Sequence, residues 1–269
     1  MTIADFRRAV YDHYAAQGRS FPWRDRVEPW GVLVSEFMLQ QTQTERVVPY
    51  WERWLRRWPT PAALHRASLE EALREWSGLG YNRRCRFLKD CARVITEERG
   101  GMVPDTPDTL RPLPGIGAYT SGAIACFAYD YPCVFIETNI RAAVLHCFFQ
   151  GRDGITDAEL SPILEQALDR EHPRRWHWAL MDYGAALKKS TVNPNRKSAH
   201  YTKQSRFAGS FRQKRGAVVR ALTQGPAAVD DLASRTGLEA AALYETLAAL
   251  QKDALVAEQN GVYRISDGS

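Results

Sequence analysis

The sequence predicts an all-α protein that ends in a small module of three helices and a β-hairpin. Three observations predict it. Apolar residues recur at helical spacing as far as about Lys189, and no strand pattern precedes residue 250. Helix signals punctuate that pattern: Ser68 followed by Glu71 is a capping box, and Gly100-Gly101 closes a helix. Near the C-terminal end, Asn260-Gly261 stands between alternating apolar residues, the pattern of a two-residue hairpin.

The periodicity places helices at 3–17, 30–43, 45–57, 68–77, 82–98, 105–112, 118–129, 138–149, 157–170 and 174–188. Residues 189–211 are polar, contain Pro194 and Gly209, and read as a connector. Helices at 212–223, 228–236 and 239–252 follow, with Gly237 between the last two, and then the hairpin. Residues 212–269 therefore read as a winged-helix-like module. Such modules bind DNA, dock within their own chain or hold a protein partner, and the pattern leaves all three open.

A chain of 269 residues, 45% of them hydrophobic, has room for two domains with real cores. No apolar run reaches transmembrane length, and Met1 to Phe21 reads as an amphipathic helix, so no membrane partner is expected. Cys85, Cys91, Cys126, Cys133 and Cys147 sit at no metal-like spacing. They read as buried thiols of a reducing cytosol.

The net charge of +5 hides an asymmetry. Residues 183–229 hold ten Lys and Arg and no Asp or Glu, so the rest of the chain carries −5 once those ten charges are subtracted. A localised cationic excess is the footprint of a polyanion site, and Tyr201, Phe207 and Phe211 interleave with the cations. The plainer reading is a solvated linker.

Four positions could carry chemistry. In Leu113-Pro114-Gly115-Ile116-Gly117, the two glycines leave backbone N–H groups uncovered at the start of helix 118–129, where the helix dipole favours a phosphate. With an amphipathic helix on each side this fits a helix-hairpin-helix element; a bare Pro-Gly-x-Gly is also an ordinary tight turn. On helix 30–43, Leu33, Val34, Phe37 and Met38 form the apolar face, and Glu36, Gln40 and Gln43 form another at i, i+4, i+7 spacing. A carboxyl held against apolar surface suits a general acid, although periodicity alone favours an ordinary solvent-exposed glutamate. Glu137 stands at the edge of a helix that Thr138 or Asn139 would cap, where helix-terminal donors favour a charged carboxylate. An acid and a charged carboxylate together suit cleavage of a glycosidic bond through an oxocarbenium-like state. The plainer reading of Glu137 is a charge that favours a helix start. Tyr119 follows the hairpin, where a lysine could form a Schiff base and a tyrosine cannot.

Phe21-Pro22-Trp23-Arg24, Ser35-Glu36-Phe37-Met38-Leu39-Gln40-Gln41-Thr42-Gln43, Gly78-Leu79-Gly80-Tyr81, Leu113 to Gly117 and Met181-Asp182-Tyr183-Gly184-Ala185 occur in one order. Over about residues 5–188 the chain resembles the helix-hairpin-helix (HhH-GPD) DNA glycosylases, nearest the MutY-type adenine glycosylases. The resemblance implies a glycosylase domain over 1–188, with one lobe of about 25–135 and a second from 1–24 plus 136–188. It implies an active site in the cleft between lobes and a base flipped into it. By the same resemblance Glu36 is the general acid, and Tyr119 marks a monofunctional enzyme. Asn139 stands next to the catalytic carboxylate. Gln41 and Tyr81 belong to the region that enters the duplex, with Gln40 and Asn82 beside them. Leu113, Gly115, Gly117 and Arg24 are expected on DNA, with room for a monovalent cation at the hairpin.

Four departures from the MutY pattern stand out. Glu137 replaces an aspartate. Asn82 replaces a bulky residue and would fill the space of a flipped base poorly. No cysteine follows Cys147, so the four-cysteine iron–sulfur loop expected after Ala186 is replaced by the basic connector, whose Lys197, Lys203 and Arg206 are expected to touch DNA. A winged-helix-like module replaces a Nudix-like C-terminal domain. No cofactor is expected. Glutamate extends the carboxylate by about 1.5 Å, and a misplacement near 1 Å costs about a hundredfold in rate. The helix start could absorb that length, another base could exploit it, or the site could be weak.

The sequence therefore predicts a monofunctional glycosylase of damaged or mispaired double-stranded DNA, acting on adenine by resemblance. Uracil, mismatched thymine and hypoxanthine are the alternative bases, and a non-catalytic binder of damaged DNA is the alternative class. A monomer associated with the nucleoid in the cytoplasm is expected.

Overall fold

A computed structural model describes residues 1–202 and 208–266; Lys203 and Arg206 lie outside them. The helices are α1 (Ile3–Gln17), α2 (Pro22–Asp25), α3 (Pro29–Leu39), α4 (Thr44–Arg57), α5 (Pro61–Arg66), α6 (Leu69–Trp76), α7 (Arg83–Glu98) and α8 (Pro107–Leu110). They continue as α9 (Ala118–Tyr129), α10 (Thr138–Phe148), α11 (Asp157–Ala167) and α12 (Pro173–Ser190), then a 3₁₀ turn at Pro194–Lys197. The C-terminal part holds α13 (Phe211–Leu222), α14 (Val229–Thr236) and α15 (Ala240–Lys252), with strands β1 (Ala227–Ala228), β2 (Val256–Gln259) and β3 (Val262–Ile265). Among the described residues no helix is long and apolar enough to cross a membrane.

The predicted all-α architecture with a small mixed module is what folds. Ser68 and Glu71 form the capping box. Gly100 and Gly101 both take positive φ, and the Gly101 N–H returns to Ile95 O at 2.9 Å. Asn260 (φ 53°) and Gly261 (φ 78°) turn β2 into β3. The sheet order is β1-β3-β2, so β1 adds a strand that the sequence reading left out, because two alanines carry no alternation. The short helices α2 and α5 were also unmarked; both begin at a proline, and α5 is capped by Thr60.

Two compact units divide the described residues, and the division differs from the expected lobes. Unit 1 holds residues 1–32, 104–112 and 116–202. Segment 118–135 belongs here because α9 is buried almost throughout. Its Ala123, Cys126 and Phe127 share one core with Phe6, Ile140, Val144, Leu164, Trp176 and Leu180. Unit 2 holds residues 33–103, 113–115 and 208–266. Its helical part packs around Trp51, Trp54 and Trp76, with edge-to-face contacts of Trp54 on Trp58 at 4.6 Å and on Trp76 at 5.4 Å.

The winged-helix-like module belongs to unit 2 rather than standing apart. Asp253 accepts from Arg215 at 2.5 Å and lies 3.7 Å from Arg83, while Arg86 donates to its carbonyl at 2.7 Å. Arg74 donates to Thr223 O at 3.0 Å, and Arg212 donates to the Tyr81 hydroxyl. Intramolecular docking is thus one use of the module. Its α15 exposes Tyr244 and Glu245 with Lys252 at the far end, a face with little positive charge for a DNA groove.

Candidate active-site residues

In unit 1 the carboxylate of Glu137 is itself the N-cap of α10, in place of Thr138 or Asn139. Its Oε1 accepts the N–H groups of Asn139 at 2.7 Å and Ile140 at 2.8 Å. Its Oε2 accepts the Asn139 side-chain amide at 3.1 Å and the Thr138 hydroxyl at 3.0 Å. Glutamate is not a favoured cap, because its chain is one methylene too long to lie straight. Here the chain folds back over the helix start, so the extra length is taken up in reaching the same backbone donors.

Three groups brace that helix start. A Cβ on Gly184 would lie 1.9 Å from Asn139 O, so α12 can pass α10 only with glycine at this position. One turn later Lys188 donates to Asn139 Oδ1 at 2.9 Å. Asn195, 5% exposed, donates to Thr138 O at 2.9 Å. The connector is therefore anchored to unit 1 at Pro194, Asn195 and Ser198, which are buried, and is solvated on either side of them. The Ile155 N–H donates to Lys197 O and the Ala199 N–H donates to Ile155 O, at 2.9 Å each, which straps the 3₁₀ turn to the rest of unit 1. Lys197 donates to Phe149 O at 3.2 Å, so its ammonium is engaged at the far end of α10.

Tyr119 is half-buried and meets Phe135 edge-to-face at 5.8 Å. Phe135 in turn stacks on His177 at 4.2 Å, and a Cβ on Gly122 would press on Phe135 at 3.2 Å. Burial pushes His177 down to about 4, although its Nδ1–H donates to Pro173 O at 2.8 Å. The ring is a neutral packing surface at physiological pH.

Arg24, expected on DNA, is turned inward onto Asp182. Its side chain is 7% exposed and donates twice to Asp182, at 2.9 Å each, while Arg19 donates to the same carboxylate at 2.7, 2.8 and 2.9 Å. Burial alone would raise Asp182, but the bonds and charge of Arg24, with Arg19, outweigh it and hold the carboxyl below its usual range. The Phe21–Arg24 and Met181–Ala185 segments thus meet in a buried ion pair.

In unit 2 Glu36 is 4% exposed, on a stretch of α3 that is buried from Leu33 to Met38, so the solvent-exposed reading of Glu36 fails. Helix α3 ends at Leu39, four residues earlier than expected, and Gln40 and Gln43 do not share a helix face with Glu36. Gln41 takes φ 55° and is exposed, and Gln43 occupies the N-cap of α4. The cause is Arg84, which sequence reasoning missed. Its guanidinium donates to Phe37 O and Met38 O at 2.9 Å each and to Gln40 O, holding carbonyls that another helical turn would have used. It also donates to Thr42 Oγ1 at 3.2 Å and Gly80 O at 3.1 Å. Burial pulls this arginine down to about 10, still charged at neutral pH. One signal was present: Arg84 stands on the apolar stripe of α7 with Leu88, Cys91 and Ile95.

The same residue joins the Gln40–Thr42 and Leu79–Tyr81 segments. Tyr81 takes φ 50°, and Asn82 follows at the N-cap of α7 without a side-chain cap bond. The hairpin makes the tight turn that its Pro-Gly sequence predicts. Gly115 (φ 75°) has no room for a Cβ, which would lie 2.6 Å from Phe87. Gly117 is the exposed N-cap of α9, with no side-chain cap bond over that helix start. The Leu113 side chain is buried beneath the turn.

Four of the cysteines are buried and Cys133 is half-buried. Among the described residues no three His, Cys, Asp or Glu side chains gather as metal ligands. With no cysteine after Cys147, the connector offers no thiolates for an iron–sulfur cluster.

The fold and these residues define a helix-hairpin-helix protein with two distinct carboxylates and a bare helix N-terminus at a glycine hairpin. The chain belongs to the HhH-GPD superfamily of base excision DNA repair proteins, whose sequence model matches residues 34–246, extending into α15. It is similar to the adenine DNA glycosylase of Mycobacterium tuberculosis, 41% identical over 178 residues, covering 65% of this chain and 59% of that one. It is 50% identical over 135 residues to the adenine DNA glycosylase of Mycolicibacterium smegmatis, covering 50% of this chain and 45% of that one. It thus spans less than two thirds of these curated relatives. A solved thermostable thymine-DNA glycosylase shares the fold, with a TM-score of 0.62 at 22% identity over 68% of this chain and 86% of that one.

Proposed function

We propose that this chain is a monofunctional DNA glycosylase that hydrolyses the N-glycosidic bond of a flipped base, with adenine as the base removed. The burial of Glu36 carries the reading: a carboxyl withdrawn from water on a rigid helix is the group a general acid requires. In this reading Glu36 protonates the departing base. Glu137, held by four donors at a helix start, faces the positive charge that develops on the sugar. Tyr119 offers no amine, so no Schiff base forms and the strand stays intact at the abasic site. Phosphates dock on the bare N-terminus of α9 at Gly117. Adenine is the choice because the similar curated proteins are adenine DNA glycosylases. The protein acts on double-stranded DNA as a monomer and without an iron–sulfur cluster.

The test is a panel of duplexes, each with one mispair or lesion, incubated with the protein and then treated with alkali. The expected result is alkali-dependent breaks at adenine in a mispair, absent in Glu36→Gln. Breaks without alkali would contradict the monofunctional reading. Tight binding to a duplex with no break in any member of the panel would leave a damage-binding protein.

A further inference from the structure

We infer that Lys188 is a positioning residue for Glu137, acting through the side-chain amide of Asn139. The inference rests on the proposed role of Glu137, but its geometry does not. Asn139 stands between two charged groups. Its Oδ1 accepts from the Lys188 ammonium at 2.9 Å, and its Nδ2 donates to Glu137 Oε2 at 3.1 Å.

A primary amide can sit either way round, and here the two charges decide. An ammonium only donates and a carboxylate only accepts. Turning the amide over would set N–H against the ammonium and C=O against the carboxylate. The cation on α12 therefore dictates that a donor, not an acceptor, is presented to Glu137. Charge-assisted bonds at both ends make this arrangement stronger than a neutral one.

The backbone is arranged for this contact. Gly184 lies one turn before Lys188 on α12, and its missing side chain is what lets α12 approach Asn139. From the other side Asn195 fixes Thr138 O. Among the described residues Asn139 links Lys188 to Glu137. It is half-buried and begins the cationic stretch that continues into the strap at 194–199. The basic window thus contains at least one cation whose task is internal.

The test compares wild type with Lys188→Arg, Lys188→Met and Lys188→Glu. Single-turnover excision at saturating protein is measured on the best substrate of the duplex panel, alongside duplex affinity. Lys188→Met should lower the single-turnover rate by about tenfold to a hundredfold, the scale of a misplaced reacting group. Lys188→Arg, which also only donates, should recover most of the loss. Lys188→Glu should lose more than Lys188→Met, because it turns the amide over. A merely structural lysine would not produce that ordering by sign. Rates within twofold across all four proteins would overturn the inference.

A second readout needs no activity. The Asn139 side-chain amide resonances, assigned by their loss in Asn139→Asp, should shift and exchange faster in Lys188→Met. If they match wild type, the inference fails even where excision is found. If wild type excises nothing while the resonances respond as expected, the proposed function fails and the Lys188–Asn139–Glu137 arrangement stands.

Discussion

Gly184 and Asn139 sit so close that a single methyl group on Gly184 would occupy the space of the Asn139 carbonyl oxygen, 1.9 Å away. Contact between α10 and α12 is set by backbone rather than by side chains at this point. Gly184→Ala must push the helices apart, as overpacked cores do, at a cost of about 1–3 kcal/mol. The expected outcome is a lower unfolding free energy in urea, with weakened Asn139 contacts. An unchanged denaturation midpoint would show that α12 can shift freely.

Arg84→Met should destabilise the protein by about 3 kcal/mol, because buried carbonyls at the end of α3 lose their donors. Arg84→Lys should recover little of it. An ammonium has three donors on one atom and cannot span acceptors on both sides of the Gln40–Thr42 and Leu79–Gly80 segments. Urea titration of the three proteins decides between this and a dispensable arginine.

Glu137→Asp should leave stability within about 0.5 kcal/mol of wild type, since aspartate is a favoured N-cap, whereas Glu137→Ala should cost about 1 kcal/mol. Excision separates the two roles of this carboxylate. Glu137→Ala should lose at least about a hundredfold in single-turnover rate, in line with removal of a preorganised charge-stabilising group. Glu137→Asp should stay within about tenfold of wild type, because both lengths are anchored by the same backbone donors. A dead aspartate variant of normal stability would mean that the extra methylene is required.

His177 sets a pH dependence of stability. Its pKa falls from 6.5 in the unfolded chain to about 4 in the fold, so between those values the unfolded chain binds the extra proton. Stability from this group is complete above pH 6.5 and drains away as pH falls toward 4, by about 3 kcal/mol in total. His177→Phe should flatten the curve of unfolding free energy against pH in that window. Parallel curves for the two proteins would remove His177 as the cause.

Much of the fold was legible because its signals are local. The Ser68–Glu71 box, the Gly100-Gly101 stop and the Asn260-Gly261 turn each act within a few residues, and each formed as read. The hairpin was legible for the same reason, since Gly115 is demanded by the turn itself. What sequence could not show was long-range pairing. Arg24 and Asp182 are 158 residues apart and form one ion pair, so a cation that looked available is buried. The end of α3 was misread because Arg84, 47 residues from Phe37, takes its carbonyls. Nor does any local pattern tell that Lys188, in a run that looks like a polyanion surface, is turned inward onto Asn139.

Residues 188–199 contain neither cysteine nor methionine. The brace they give Glu137 consists of amides, carbonyls and one ammonium. Peroxide has no sulfur there to oxidise. The bracing segment therefore has no thiol or thioether through which an oxidant could loosen it. Its point of chemical weakness is lysine modification: acetylation of Lys188 would replace the ammonium by a neutral amide and weaken the hold on Asn139.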